Sequence, residues 1–297
     1  MKWINAFCLI CIFLCATFFN KEKVFAQDSE LQQGDSLFAQ GNFFEAAIAY
    51  ERVYFLSPSA EERVVANLRK AAALKQQGEF VRVVSDLQRS LPHAGNESTQ
   101  IEIIYEMALS AFLSGSYSLA HSLVSQLDYQ FPQAGLYKDL PLLKGMLMIK
   151  MQRWTELALY ADELALQRQP SPERDIFVAK LKELLLEENQ PVQRDPEKGR
   201  LYSTFMPGAG QIYSGSTGQG LLNGFSQLAS LGVAVAMGIN QLYFSGVIIG
   251  LGAFQSFYFG GVKQASNLTV ENNLKRMIRF QQELETILLE IYQLPLF

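Results

Sequence analysis

His93 and His121 are the two histidines of the chain, and an imidazole is the usual centre of a hydrolytic triad or a zinc site. They stand 28 residues apart, with His121 inside a helical stretch, and neither has partners at a spacing that builds such a site. Thiol chemistry meets a similar limit. Cys8, Cys11 and Cys15 all fall in the apolar run of residues 6–19, so a chain cleaved beyond it has no cysteine for a disulfide, a zinc site or a nucleophile. Gly208 and Gly210 raise the question of phosphate binding, but the third glycine of the dinucleotide spacing is missing, no strand precedes them and no Gly-Lys-Ser/Thr follows. These residue types point away from an enzyme and imply no cofactor and no metal; binding is the expected mode of action.

The elements that carry the remaining residues begin with an export signal. Lys2 precedes a 14-residue apolar run, and Val24-Phe25-Ala26 provides the small-x-small pattern of a signal-peptidase site, so residues 1–26 read as a signal peptide cleaved after Ala26. An uncleaved anchor helix is the alternative. A lipoprotein reading is weaker, because Cys15 follows Leu14, Cys11 follows Ile10 and Cys8 follows Phe7, where a small residue is wanted. Losing Lys2, Lys21, Glu22 and Lys23 leaves 22 basic against 28 acidic residues, and no basic stripe suggests a nucleic-acid partner. The apolar share of 49% against 18% charged residues is high for a soluble chain, so the excess is expected in one particular segment.

The middle of the chain repeats. Gly41-Asn42-Phe43, Gly78-Glu79-Phe80 and Gly115-Ser116-Tyr117 recur every 37 residues, and one further step reaches Gln152-Arg153-Trp154. Each mark is followed by an aromatic, Phe43, Phe80, Tyr117 or Trp154, and then by Ala46, Val83, Ala120 or Leu157. Flanking apolar residues keep helical spacing, so each unit reads as two helices with the marked position in the turn, where glycine supplies positive φ. The aromatics are expected to cover the elbow of each hairpin.

Gly34, Gly41, Phe43, Glu45-Ala46, Tyr50 and Pro58 resemble the tetratricopeptide repeat at its usual positions. Later copies depart from it, with Arg82-Val83, Leu119-Ala120 and Glu156-Leu157 in place of Glu-Ala and a period of 37 rather than the family's 34. The resemblance covers about residues 28–169, within an expected repeat domain over 27–190, with a capping helix at about 172–188 and a linker at 191–200. It implies a superhelix whose concave face receives a protein or peptide partner.

Residues 201–262 form an uncharged stretch of 62 residues, enough for two crossings of about 20 residues each. The expected spans are 219–239 and 243–262, turning at Asn240-Gln241. Gly220/Gly224, Gly246/Gly250 and Gly252/Ser256/Gly260 put small residues four apart for close packing in lipid, or for self-association into a homo-oligomer. Folding about that turn places Gln227 opposite about residue 254, beside Gln255, and a glutamine pair is expected. The segment Pro207, Gly208, Gly210, Gln211, Tyr213 and Gly215 resembles the Pro-Gly-x-Gly-Gln-x-Tyr-x-Gly signature of small two-span membrane domains of bacterial envelope proteins, a family with no known activity. Residues 263–297 carry an amphipathic helix over 269–292, free to lie on the membrane, dock on the repeats or pair with a second copy.

The fold class expected from all of this is all-α: a tetratricopeptide-like superhelix, a two-helix transmembrane hairpin and a C-terminal amphipathic helix. The expected role is a protein–protein interaction scaffold in the bacterial cytoplasmic (inner) membrane with its repeats on the periplasmic side. Basic residues flank the hairpin, Arg194, Lys198 and Arg200 before it and Lys263, Lys275, Arg276 and Arg279 after it, which favours the alternative of cytoplasmic repeats. An accessory subunit of a transport or channel assembly is the rival function, although the spans hold no ionisable residue for coupling an ion.

Overall fold

A computed structural model of the protein describes residues 30–296, so the signal segment expected over residues 1–26 lies outside the described residues. The described residues form thirteen α-helices joined by turns and short 3-10 segments, with no strand among them. They fall into two compact units that divide between Tyr160 and Ala161.

The first unit contains α1 (residues 30–39), α2 (Phe43–Leu56), α3 (Ala60–Gln76), α4 (Phe80–Ser90), α5 (Glu97–Leu113), α6 (Tyr117–Gln130), α7 (Leu140–Lys150) and the start of α8 (Trp154–Leu166). From α2 to α7 each helix packs on the next in sequence. Ser59 and Asn96 cap α3 and α5 by accepting from the amides of Glu62 and Thr99. The connections α4–α5 and α6–α7 hold the 3-10 turns Leu91–His93 and Pro132–Leu136, which take up residues beyond two helices and a tight turn.

The core of this unit includes fully buried Leu74, Leu87, Ile103, Ile104 and Leu127. A polar set is buried beside it. Lys70, 2% exposed, pairs through its ammonium with Glu51 of α2 and Asp86 of α4, and the Asn67 amide donates to the Asp86 carbonyl and to Ser90 Oγ, both at 2.7 Å. One turn of α3 therefore joins three consecutive helices. On the far side, Tyr105 and Tyr137 meet edge to face at 5.4 Å with Lys138 over both rings. Burial first, and then the nearby carboxylates of Asp139 and Glu106, push the Tyr105 phenol up to about 12.

The second unit holds α9 (Pro172–Leu185), α10 (Pro196–Phe205), α11 (Ala209–Ser214), α12 (Thr217–Ile239) and α13, a single helix from Tyr243 to Gln293 with a widened π turn over Gly246–Leu251. The expected amphipathic helix continues the expected second span without interruption, because residues 263–268 contain neither proline nor glycine to end it. Its apolar side, Phe280, Leu284, Ile287, Leu288 and Ile291, is buried, and α9 packs on α13 through this region with Leu181 and Leu185 buried in turn. Beyond α13, the amide of Gln169 donates to the Pro295 carbonyl and Arg168 stacks on the Tyr292 ring, tying down the end of the chain.

α12 and the first part of α13 are long and apolar enough to cross a membrane. At about 1.5 Å per residue, the 23 residues of α12 reach some 35 Å, slightly more than a hydrocarbon core of about 30 Å.

Candidate functional site

The repeat marks occupy one recurring turn. Gly41, Gly78 and Gly115 have φ of +81°, +76° and +79°, and Gln152 takes the same left-handed place at +57°. In each case the marked amide donates three residues back and the following amide five residues back, as in Gly41 N to Phe38 O and Asn42 N to Leu37 O, which satisfies the last carbonyls of the preceding helix. Phe43, Phe80, Tyr117 and Trp154 are then the first residues of α2, α4, α6 and α8, and Ala46, Val83, Ala120 and Leu157 are all fully buried. Phe43 packs edge to face on Phe38, and Tyr117 tilts onto Phe112.

Between α2, α3 and the start of α4 lies a cavity of about 340 Å³ lined by Phe44, Ile48, Phe55, Leu56, Arg52 and Arg82 among others. Phe44 is 61% exposed, Phe55 67% and Leu56 70%. Their side chains project from α2 because that helix is apolar on both sides: one side buries Ala46, Ala49, Tyr50 and Val53, and the other is left exposed by the described residues. Lys70 and Glu51 form the floor, already paired with each other. The periodicity alone gave no reason to separate these exposed aromatics from the core.

In the second unit the Pro-Gly-x-Gly-Gln-x-Tyr-x-Gly segment builds a V from α10 and α11 with its tip at Met206-Pro207-Gly208. The glycines are there because backbones nearly touch. A Cβ on Gly210 would stand 1.9 Å from the Gly199 carbonyl oxygen, and one on Gly208, whose φ is +83°, would stand 2.0 Å from that of Gly220. Gln211 is fully buried between the arms: its side-chain Oε1 accepts from Ser203 Oγ at 2.9 Å and its Nε2 donates to the Gly261 carbonyl of α13 at 2.8 Å. Ser203 Oγ in turn accepts from the Gly210 amide. The tip runs alongside α12, with the Pro207 carbonyl 3.0 Å from where a Gly224 Cβ would be, and it exposes Phe205 and Met206. Tyr213 packs on Tyr202, and its hydroxyl accepts from the Asp195 amide. Gly215, with φ +98°, closes α11 by the same pair of amide bonds used in the repeats.

The hairpin corrects three expectations. Ala234 faces Gly250, Gln227 faces Phe257 and Asn223 faces Gly261, so the hairpin is centred on Leu242 and not between Asn240 and Gln241. The cause is the turn itself, in which Gln241 adopts φ +61° and Leu242 donates back to the Met237 carbonyl before α13 starts. Gln255 is consequently rotated outward and exposed, and Gln227 donates to Asn223 Oδ1 at 2.7 Å instead of pairing with it. Gly220 and Gly224 also serve the V and not the second span. Gly246 and Gly250 do lie at the contact between α12 and α13, where a Cβ on Gly250 would sit 2.5 Å from the Ala234 Cβ.

No protein-family description, curated protein or solved structure matches the chain.

His93 lies exposed in a 3-10 turn, and His121 Nε2 contacts Arg153. Sequence reasoning missed the way residues 194, 213–216 and 272–276 come together. Asn273 accepts from the Arg194 amide at 3.0 Å and donates to the Arg194 carbonyl at 2.7 Å, while Asn272 donates to the Ser214 carbonyl and to Ser216 Oγ. The Asn272-Asn273 pair, in a helix otherwise rich in long side chains, was the available signal.

Proposed function

We propose that the protein is a membrane-anchored interaction scaffold of the bacterial cell envelope, held by α12 and the first part of α13 and binding a partner protein or peptide on its helical hairpins. The observation that carries this reading is the uncovered apolar cavity on α2. Four large apolar side chains exposed together, rimmed by Arg52 and Arg82, suit a segment with apolar anchors and neighbouring carboxylates. The recurring left-handed turns with an aromatic at the next helix start support assigning the hairpins to the tetratricopeptide type, whose stacks bind peptides without chemistry. The short apolar run and Val24-Phe25-Ala26 support export, and thus repeats on the periplasmic side of the cytoplasmic membrane.

Photo-crosslinking from a benzoyl-phenylalanine placed at Phe55 of the full-length protein in its native cells tests the proposal. A discrete adduct that disappears when Phe44 is changed to Glu, with the protein still in the membrane fraction, is the expected result. No adduct at Phe55, or one unaffected by Phe44→Glu, would remove the cavity as the binding surface.

A further inference from the structure

Arg194 and Arg276 are 82 positions apart in the chain yet converge on one point. A Cβ on Gly215 would lie 3.5 Å from a terminal nitrogen of Arg194 and 3.9 Å from one of Arg276, so the missing side chain leaves the space between two guanidinium groups open. Both groups are held in place. Arg194 is clamped through its backbone by Asn273, donates to the Tyr213 carbonyl and lies over the Tyr213 ring at 5.7 Å, while Arg276 donates to Asn273 Oδ1. Among the described residues neither is paired with a carboxylate. Glu197 and Glu271 are taken by Arg200 and Lys275, and Asp195 caps α10. The Nε of Arg276 is buried with no hydrogen-bond partner.

Two neighbouring cations without a counter-ion are costly, and the cost is visible in Arg276, whose affinity for its proton is lowered by burial and then by Arg194. Fixed guanidinium forks are suited to phosphate oxygens, which accept from both at once. The location adds the source. Gly215 and Ser216 immediately precede Thr217, the first residue of the 23-residue apolar helix α12, at the level where lipid headgroups meet a span.

We propose that Arg194 and Arg276 form a phosphate-binding site at the foot of the first span, occupied by the phosphodiester of a phospholipid headgroup. The phosphate bridges the two guanidinium groups above Gly215, with the acyl chains running beside α12. This inference rests on α12 and α13 lying in a bilayer, which alkaline carbonate extraction of native membranes checks separately: release of the full-length protein would end the membrane reading, whatever binds the arginines.

The test is native mass spectrometry of the full-length protein in detergent, with phosphatidylglycerol added to the wild type and to Arg194→Gln, Arg276→Gln and Arg279→Gln. Loss of a charge-assisted hydrogen-bond pair should reduce lipid retention about tenfold or more in the first two variants. Arg279→Gln, one turn further along α13, should retain lipid like the wild type. Millimolar inorganic phosphate or glycerol phosphate is then added to the wild type. Retention of the lipid identifies a headgroup site, whereas displacement together with phosphate adducts identifies a site for the free anion. Equal retention in all proteins, or an equal loss in Arg279→Gln, would overturn the arginine pair as the site. If Arg276→Gln does not fold, Arg276→Lys decides: it keeps the charge without the fork, so weakened retention supports the site and retention equal to wild type overturns it.

Discussion

Changing Gly210 to Ala places one methyl group where the structure has no room for it. The new Cβ would stand 1.9 Å from the Gly199 carbonyl oxygen, 2.4 Å from Ser203 Oγ and 2.8 Å from the Ala265 Cβ. Atoms of this kind settle at roughly 3.5–4.0 Å, so α11 must move away from α10 by about 1.5 Å or more. That shift opens the Gly210–Ser203 and Ser203–Gln211 hydrogen bonds and leaves the buried Gln211 amide short of a partner. Overpacking at about 1–3 kcal/mol and one buried polar group left unsatisfied at about 1–3 kcal/mol sum to a loss of about 2–6 kcal/mol. Gly218→Ala is the matched control. It is another helical glycine, but nothing lies within 4 Å of its added Cβ, so it should gain up to about 1 kcal/mol from helix propensity. Thermal unfolding of the purified full-length protein in one detergent, followed by circular dichroism, should show a lowered midpoint for Gly210→Ala by roughly 4–24 °C, at about 2–4 °C per kcal/mol. A Gly210→Ala midpoint equal to that of Gly218→Ala would refute the close approach of α10 and α11.

Three further outcomes are expected. Gly78→Val, at φ +76°, should lose about 1–2 kcal/mol or more from left-handed strain, while Gly95→Ala, outside the left-handed region, should lose little; equal losses in chemical denaturation would deny the strained turn. Gln227→Leu and Asn223→Leu should each loosen the hairpin by about 0.5–2 kcal/mol, non-additively in the double variant, whereas Gln227→Leu and Gln255→Leu should be additive in the same denaturation assay. Tyr105 has a folded-state pKa raised from 10.0 to about 12, so the neutral phenol is favoured in the fold. Its contribution is complete below pH 10 and is lost as pH rises towards 12, where the unfolded chain ionises first. Denaturation midpoints should therefore fall less steeply between pH 10 and 12 in Tyr105→Phe than in the wild type.

The parts of this fold that were legible in the sequence are those fixed by neighbouring residues. A left-handed turn needs a residue that tolerates positive φ, so Gly41, Gly78 and Gly115 marked the elbows, and Gln152 could be found only by counting 37 onward because its side chain gives no such signal. The two apolar helices were also legible, since length and the absence of charge suffice. Long-range register was not. The contact of Gln227 with Phe257 depends on a three-residue offset set by the αL conformation of Gln241, for which glutamine is an unusual choice. The meeting of Arg194 with Arg276 depends on the packing of α10 and α11 against α13, and the burial of Lys70 depends on the carboxylates that α2 and α4 bring to it. In each case the deciding partner lies well outside any local window.

The unbroken course of α13 has a mechanical consequence. At about 1.5 Å per residue its 51 residues make a rod of roughly 76 Å, of which a bilayer accommodates less than half. From Gly252 onward the rotational phase is conserved at about 100° per residue, so the face that Gly261 turns towards α12 dictates the azimuth at which Phe280, Leu284 and Ile291 meet α9. A single residue inserted near Ser266 would swing the α9 seat by over a quarter of a turn while leaving both of its apolar faces chemically unchanged.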